Sequence, residues 1–119
     1  MTNREWVVAK ISSLSDPGAL EFSVGSGEWP FRGFVVRQQG EVYAYANVCP
    51  HQQHPLNLKP DGFMTPDKTL LICSSHGALF KPETGECVGG PCLGRQLQKL
   101  VCRLDGDVVY VKAPDSMRA

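Results

Sequence analysis

Apolar and polar residues alternate near both ends of this chain with the period of half-buried β-strands. Ala19-Leu20-Glu21-Phe22-Ser23-Val24 sets an apolar side chain at every second position, so one face is apolar and the other polar. Trp6-Val7-Val8-Ala9 reads as a strand before it, and Ser15-Asp16-Pro17-Gly18 as the intervening turn. Gly25 to Gly27 ends the second strand. Phe34-Val35-Val36-Arg37 and Val42-Tyr43-Ala44-Tyr45-Ala46 flank Gln38-Gln39-Gly40-Glu41, which predicts a hairpin. Leu100-Val101-Cys102-Arg103-Leu104 and Val108-Val109-Tyr110-Val111 flank Asp105-Gly106, a tight-turn signal. Ala113 to Ala119 reads as a loose tail, and no segment carries the spacing of an amphipathic helix.

The middle of the chain is built differently. Asn47 to Cys92 holds all three histidines, four of the five cysteines and most of the prolines. Thr69-Leu70-Leu71-Ile72 and Ala78-Leu79-Phe80 read as strands joined by the loop Cys73 to Gly77, and Glu83-Thr84-Gly85-Glu86 as a further turn. The pattern predicts a β base made from both chain ends, with a smaller β subdomain inserted at about 47–92 and loops at its tip.

At 119 residues the chain reads as a single domain, 1–119, with no internal repeat. Twelve glycines and nine prolines favour a turn-rich, all-β architecture. Twelve basic and twelve acidic residues cancel, so no basic stripe points to nucleic acid or an anionic membrane. No apolar run has the length to span a bilayer. Met1 to Lys10 lacks an apolar signal core and a twin arginine, which reads as a cytoplasmic protein. Five cysteines, an odd count, fit metal ligation plus spare thiols better than a closed disulfide framework.

The candidate chemistry lies in two short motifs. Cys49-Pro50-His51 and Cys73-Ser74-Ser75-His76 each offer one thiolate and one imidazole, with twenty-one residues between His51 and Cys73. That spacing suits a two-iron sulfide cluster in which Cys49 and Cys73 bind one iron and His51 and His76 the other. Replacing two thiolates by neutral imidazoles makes the oxidised centre less anionic, so an added electron is held more easily. Structural zinc is the alternative for two cysteines and two histidines, but mixed Cys-x-His and Cys-x-x-His pairs fit the usual finger order poorly. No nucleophile triad, phosphate-cradling glycine loop or flavin fingerprint is present, and Tyr43, Tyr45 and Tyr110 have no sequence neighbours that would make acid–base catalysts of them.

Cys49-Pro50-His51-Gln52-Gln53-His54-Pro55-Leu56 and Cys73-Ser74-Ser75-His76-Gly77-Ala78-Leu79-Phe80 resemble the two cluster-binding boxes of Rieske proteins. Thr84-Gly85-Glu86 with Gly89-Gly90-Pro91 is similar to the family's turn and cluster-covering proline loop, and Leu97 to Val111 to its closing hairpin. The resemblance implies three stacked antiparallel sheets and one [2Fe-2S] cluster per chain. In cytochrome bc-type members each box carries an extra cysteine, and the two form a disulfide. Here the matching positions are His54 and Ser74 or Ser75, so that bridge cannot form. Where those members place hydroxyls near the cluster this chain has Ala78 and Phe80, which predicts a potential toward the low end of the Rieske range, about −150 mV.

The resemblance points to the soluble ferredoxins of multicomponent ring-hydroxylating oxygenases. It implies a monomeric one-electron carrier, not itself an enzyme. Its transient partners are a flavin-dependent NAD(P)H reductase and a terminal oxygenase, met through a tip that includes Pro50, Pro55 and Pro91. The alternative is a small Rieske-like subunit of a larger oxidoreductase such as nitrite reductase. His54 reads as a rim residue and not a ligand, Leu56 as packing over the ligand loop, and Trp6 and Trp29 as core or rim. Cys87 and Cys92 could pair but read as reduced thiols, Cys102 reads as buried packing, and Ser74 and Ser75 as loop residues or donors to the cluster.

Overall fold

Residues 4–25, 30–50, 55–57, 62–74 and 77–114 are described by the computed structural model. Their strands are β1 (Arg4–Lys10), β2 (Gly18–Val24), β3 (Phe31–Gln38), β4 (Glu41–Ala46) and β5 (Leu71–Ile72). Then come β6 (Leu79–Phe80), β7 (Cys87–Gly89), β8 (Lys99–Leu100), β9 (Cys102–Asp105) and β10 (Val108–Ala113). A single 3-10 turn, Ile11–Ser13, is the only helical element among the described residues. The strands form three antiparallel sheets: a base sheet β1-β10-β9, a central sheet β2-β3-β4-β8 and a tip sheet β5-β6-β7. The fold is all-β with three sheets, as expected, and the tip sheet lies in sequence between β4 and β8.

Side-chain alternation makes the central sheet a partition between two cores. Val35 of β3 with Ala44 and Ala46 of β4 faces the base sheet, where Val109, Val111 and Ala113 close the first core. Phe34 and Val36 of β3 with Tyr45 of β4 face the opposite way, into a second core under the tip loops. On β2 the same alternation sends Leu20, Phe22 and Val24 to the base core and turns Glu21, the cross-strand partner of Phe34, to the site side. The β3–β4 hairpin closes through Gln39 and Gly40, whose φ angles of 51° and 80° are the positive pair that a tight two-residue loop requires.

The expected strand Leu100–Leu104 is in fact two strands in two sheets. Leu100 pairs with Ala44 in the central sheet, whereas Cys102 pairs with Val111 in the base sheet. Val101 between them is 66% exposed and accepts a backbone bond from Lys112 N–H at 2.8 Å. The chain thus changes sheets at one residue, which an unbroken apolar run does not signal. The closing turn is Gly106–Asp107, one position beyond Asp105-Gly106, because Asp105 still pairs with Val108. Cys102 is half-buried, not fully buried as packing alone predicts, since it lies on the edge strand of the base sheet. Trp6 is also half-buried and donates its indole N–H to Ala113 O at 3.0 Å, a rim position. Among the described residues no helix is long and apolar enough to cross a membrane.

Candidate metal centre

Cys49 and Cys73 come from loops on different parts of the chain and meet in one core. Cys49 follows β4 and Cys73 follows β5, both are fully buried, and both pack with Phe34, Leu56, Phe63, Ala78 and Phe80. The other expected ligands, His51 and His76, lie outside the described residues, as do His54, Ser75 and Trp29. Among the described residues no three His, Cys, Asp or Glu side chains gather to hold a metal ion, so Cys87 and Cys92 do not complete a four-thiolate site with Cys49 and Cys73.

The loops are tied to one another by backbone bonds. Ser74 N–H donates to Leu56 O at 2.8 Å, which joins the second box to the end of the first. Cys73 N–H donates to Ala78 O at 2.9 Å and Gly77 N–H to Cys73 O at 2.9 Å, which ties the end of β5 to the start of β6. The Gly89-Gly90-Pro91 segment comes close to Gly77 and Ala78 through Gly90. Gly90 has φ +86°, and a β-carbon there would come within 2.8 Å of Ala78 Cα, so only glycine permits the approach. Pro91 is exposed and Cys92 beside it buried.

Sequence reasoning missed two features that hold the first box. Asn47, only 1% exposed, accepts Leu56 N–H on its Oδ1 at 2.8 Å. Its Nδ2 donates to Glu21 Oε2 at 3.0 Å and Asn57 Oδ1 at 2.9 Å. Glu21 also takes Asn57 Nδ2 at 3.1 Å and Arg32 Nη2 at 2.6 Å. A buried amide is costly unless its hydrogen bonds are made, and here they are. The network fastens both ends of the Asn47–Asn57 segment to β2 and β3. The second feature is Arg95, whose guanidinium donates to Pro50 O at 2.9 Å and clips the first box to the cover segment. The available signal for the first was Glu21, a carboxylate on the site-facing side of an alternating strand; Arg95 gave none.

Tyr45 donates its hydroxyl to Pro82 O at 2.7 Å, which anchors the turn after β6 to the central sheet. Burial pushes its phenol well above the ordinary range, so it acts as a neutral donor. Ala78 and Phe80 are fully buried in the same core as Cys49 and Cys73, and neither side chain carries a hydroxyl. Leu56 is fully buried there too, which joins the loop-packing and core readings of that residue. Ser74 is exposed. Burial, then the S–H contact with Cys87, pushes the Cys92 thiol up to about 12, with Cys49 and Cys73 adding to the rise.

The donors present fit the thiolate half of a two-iron sulfide group. Two buried thiols, which are soft donors, lie in one core beside the backbone bonds from Ser74 to Leu56 and from Cys73 to Ala78, which suits a group held by soft ligands.

Comparison with known proteins agrees. The chain is 28% identical over 109 residues to human "Apoptosis-inducing factor 3", which covers 92% of this chain and 16% of that protein. It is 33% identical over 79 residues to "Alkene monooxygenase system, ferredoxin component" of Xanthobacter autotrophicus (strain ATCC BAA-1158 / Py2), 66% of this chain and 58% of that one. The chain thus spans about a sixth and somewhat over half of these curated relatives. Among solved structures, "Complex of reduced oxygenase and oxidized ferredoxin in carbazole 1,9a-dioxygenase" aligns with TM-score 0.70 and 20% identity, covering 96% of this chain and 97% of the matched one. The model of the Rieske [2Fe-2S] domain matches residues 5–112, so with its three sheets and paired thiol loops the chain belongs to the Rieske [2Fe-2S] domain family.

Proposed function

We propose that this chain is a one-electron carrier that holds one [2Fe-2S] group through Cys49, His51, Cys73 and His76. The observation that carries the reading is the convergence of Cys49 and Cys73, both fully buried, from two separate loops into one core. When bound, such a group supplies a reversible one-electron couple at a higher potential than an all-cysteine centre. The chain's own residues keep the thiols in place and dry. Leu56, Phe63 and Phe80 exclude water around Cys49 and Cys73, while Asn47 and Arg95 hold the first loop against the sheet and the cover segment. Ala78 and Phe80 offer no hydroxyl donor, which supports a low potential within the Rieske range, about −150 mV.

Pro55, Pro91, Val88 and Leu93 are exposed apolar residues on segments adjoining those that carry Cys49 and Cys73, and we assign them to the contact surface. A surface of this kind suits brief encounters in place of a permanent complex. We assign as partners a flavin-dependent NAD(P)H reductase and a terminal oxygenase, with the chain acting as a monomer and catalysing nothing alone. Support for the oxygenase comes from the solved complex of reduced oxygenase and oxidized ferredoxin, whose matched chain shares this fold. We assign a cytoplasmic location, in keeping with the odd count of five cysteines, which does not fit a closed disulfide framework.

The test is an anaerobic reductive titration of the purified protein, followed by mixing with oxidised cytochrome c as a one-electron acceptor. Uptake of a single electron per chain and its full return to the acceptor are expected. A chain that takes up none, with its iron content at full occupancy, contradicts the reading.

A further inference from the structure

Cys87 and Cys92 have no part in the electron-carrier reading, yet they form a built pair. Their Sγ atoms lie 3.2 Å apart, and the residues are only 4% and 2% exposed. A disulfide needs about 2 Å between the sulfurs, so roughly 1 Å of approach completes it. The fold has already brought the two limbs together. Cys87 N–H donates to Arg95 O at 2.9 Å and Arg95 N–H to Cys92 O at 3.0 Å, which closes the neck of the loop. Gly90 and Gly94, with φ of +86° and +87°, make the reversals on either side of Cys92. The Cys87 thiol donates onward to Gly89 O at 3.1 Å, so both sulfurs are oriented within this one loop.

We propose that Cys87 and Cys92 form a reversible disulfide by exchange with a low-molecular-weight disulfide of the glutathione type. One cysteine, as its thiolate, attacks the small disulfide, forming a mixed disulfide and releasing one small thiol. The other cysteine then displaces the second small thiol. One Sγ–Sγ bond forms, one S–S bond breaks, and the protons of the two cysteines leave with the two released thiols. Burial makes this slow in the closed loop, so exchange runs through opening of the Pro91–Gly94 turn, where Leu93 is 66% exposed. The ring spans only Cys87 to Cys92, and closing so short a loop removes little chain entropy. The bond therefore acts on this one loop and adds little to global stability. Its place gives it a consequence. Gly90 lies on the Gly77–Ala78 backbone and Cys92 shares a core with Cys49 and Cys73, so the crosslink stiffens the wall of the thiolate site.

The experiment treats the iron-loaded protein anaerobically with oxidised glutathione. It is run once in buffer and once at a urea concentration just below the unfolding transition, which opens the loop. After acid quench, alkylation under denaturing conditions and double digestion at basic residues and glutamates, the peptide 87–95 carries these two cysteines alone. The expected peptide is lighter than the dithiol form by two hydrogens, resists alkylation and reverts with dithiothreitol. Cys87→Ser and Cys92→Ser should each abolish it. Chelator-driven iron release should slow several-fold in the crosslinked protein. Full alkylation of both cysteines in the urea arm, or separate glutathione adducts on each, overturns the proposal. Peptide mapping reads the bond itself, so its outcome is separate from that of the electron-carrier reading.

Discussion

On one face of the central sheet, Phe22, Val35, Ala44, Val109 and Val111 pack in a core of aliphatic and aromatic side chains that includes no fully buried thiol. On the other face, Phe34, Tyr45, Phe63 and Phe80 surround four of the five cysteines, and the loops above depend on a buried asparagine and a surface arginine. The first core is held by area removed from water along long paired strands. The second adds specific polar contacts between short strands and loops, because the ligands proposed at Cys49 and Cys73 must be presented at fixed positions and not simply buried. The base should therefore decide whether the chain folds, and the site side whether the metal stays.

Substitution at the ligands separates the two most sharply. Cys49→Ala, Cys73→Ala, His51→Ala or His76→Ala should each remove the bound iron entirely, read by iron and acid-labile sulfide analysis, while far-UV circular dichroism keeps its β signature. Cys92→Ser should keep full iron content. The reverse experiment is Phe22→Ala in the base core, expected to cost about 3–5 kcal/mol in urea unfolding. Whatever fraction stays folded should retain its visible spectrum. If the iron were lost before the fold, the division of labour drawn above would be wrong.

Asn47→Ala probes the link between the two regions. It removes the acceptor of Leu56 N–H and the Asn47 Nδ2 bonds to Glu21 and Asn57, for a cost of about 1–3 kcal/mol. Iron release to a chelator should accelerate far more than the loss of stability alone accounts for, since Leu56 O also holds Ser74 N–H of the second box. Equal effects on release and unfolding would reduce Asn47 to ordinary packing.

The smallest effect belongs to the base-sheet pair of Arg103 with Glu5, at 2.8 Å. The Arg103 guanidinium holds the Glu5 carboxyl below its ordinary 4.5. Because the folded value is depressed, the pair's contribution is present above about pH 4.5 and fades as pH falls through the lower folded value. Glu5→Gln should remove that slight acid-side slope and its salt sensitivity, with no change in the visible spectrum.

The base and central strands were legible because one period governs both burial and pairing; Leu20, Phe22 and Val24 declare their face directly. The candidate site was proposed from residue type and spacing; of its four residues the structure describes Cys49 and Cys73, which share one core. What escaped was set by contacts distant in sequence. The break at Val101 arises from competition between two sheets for adjacent residues. The short strand Cys87–Gly89 is too brief and too glycine-rich for a pattern, and exists because Phe80 pairs with Cys87. Phe63, stacked on Phe34 at 4.3 Å, sits with Met64 between turn-forming and polar residues, with no period to mark it as core.

The ligation of the iron pair decides the account, and electron paramagnetic resonance of the dithionite-reduced protein reads it most directly. Two thiolates with two imidazoles predict a signal whose average g lies below that of all-cysteine two-iron centres. A reduced spectrum indistinguishable from an all-cysteine ferredoxin would contradict the assignment of His51 and His76, and with it the chemistry built on them.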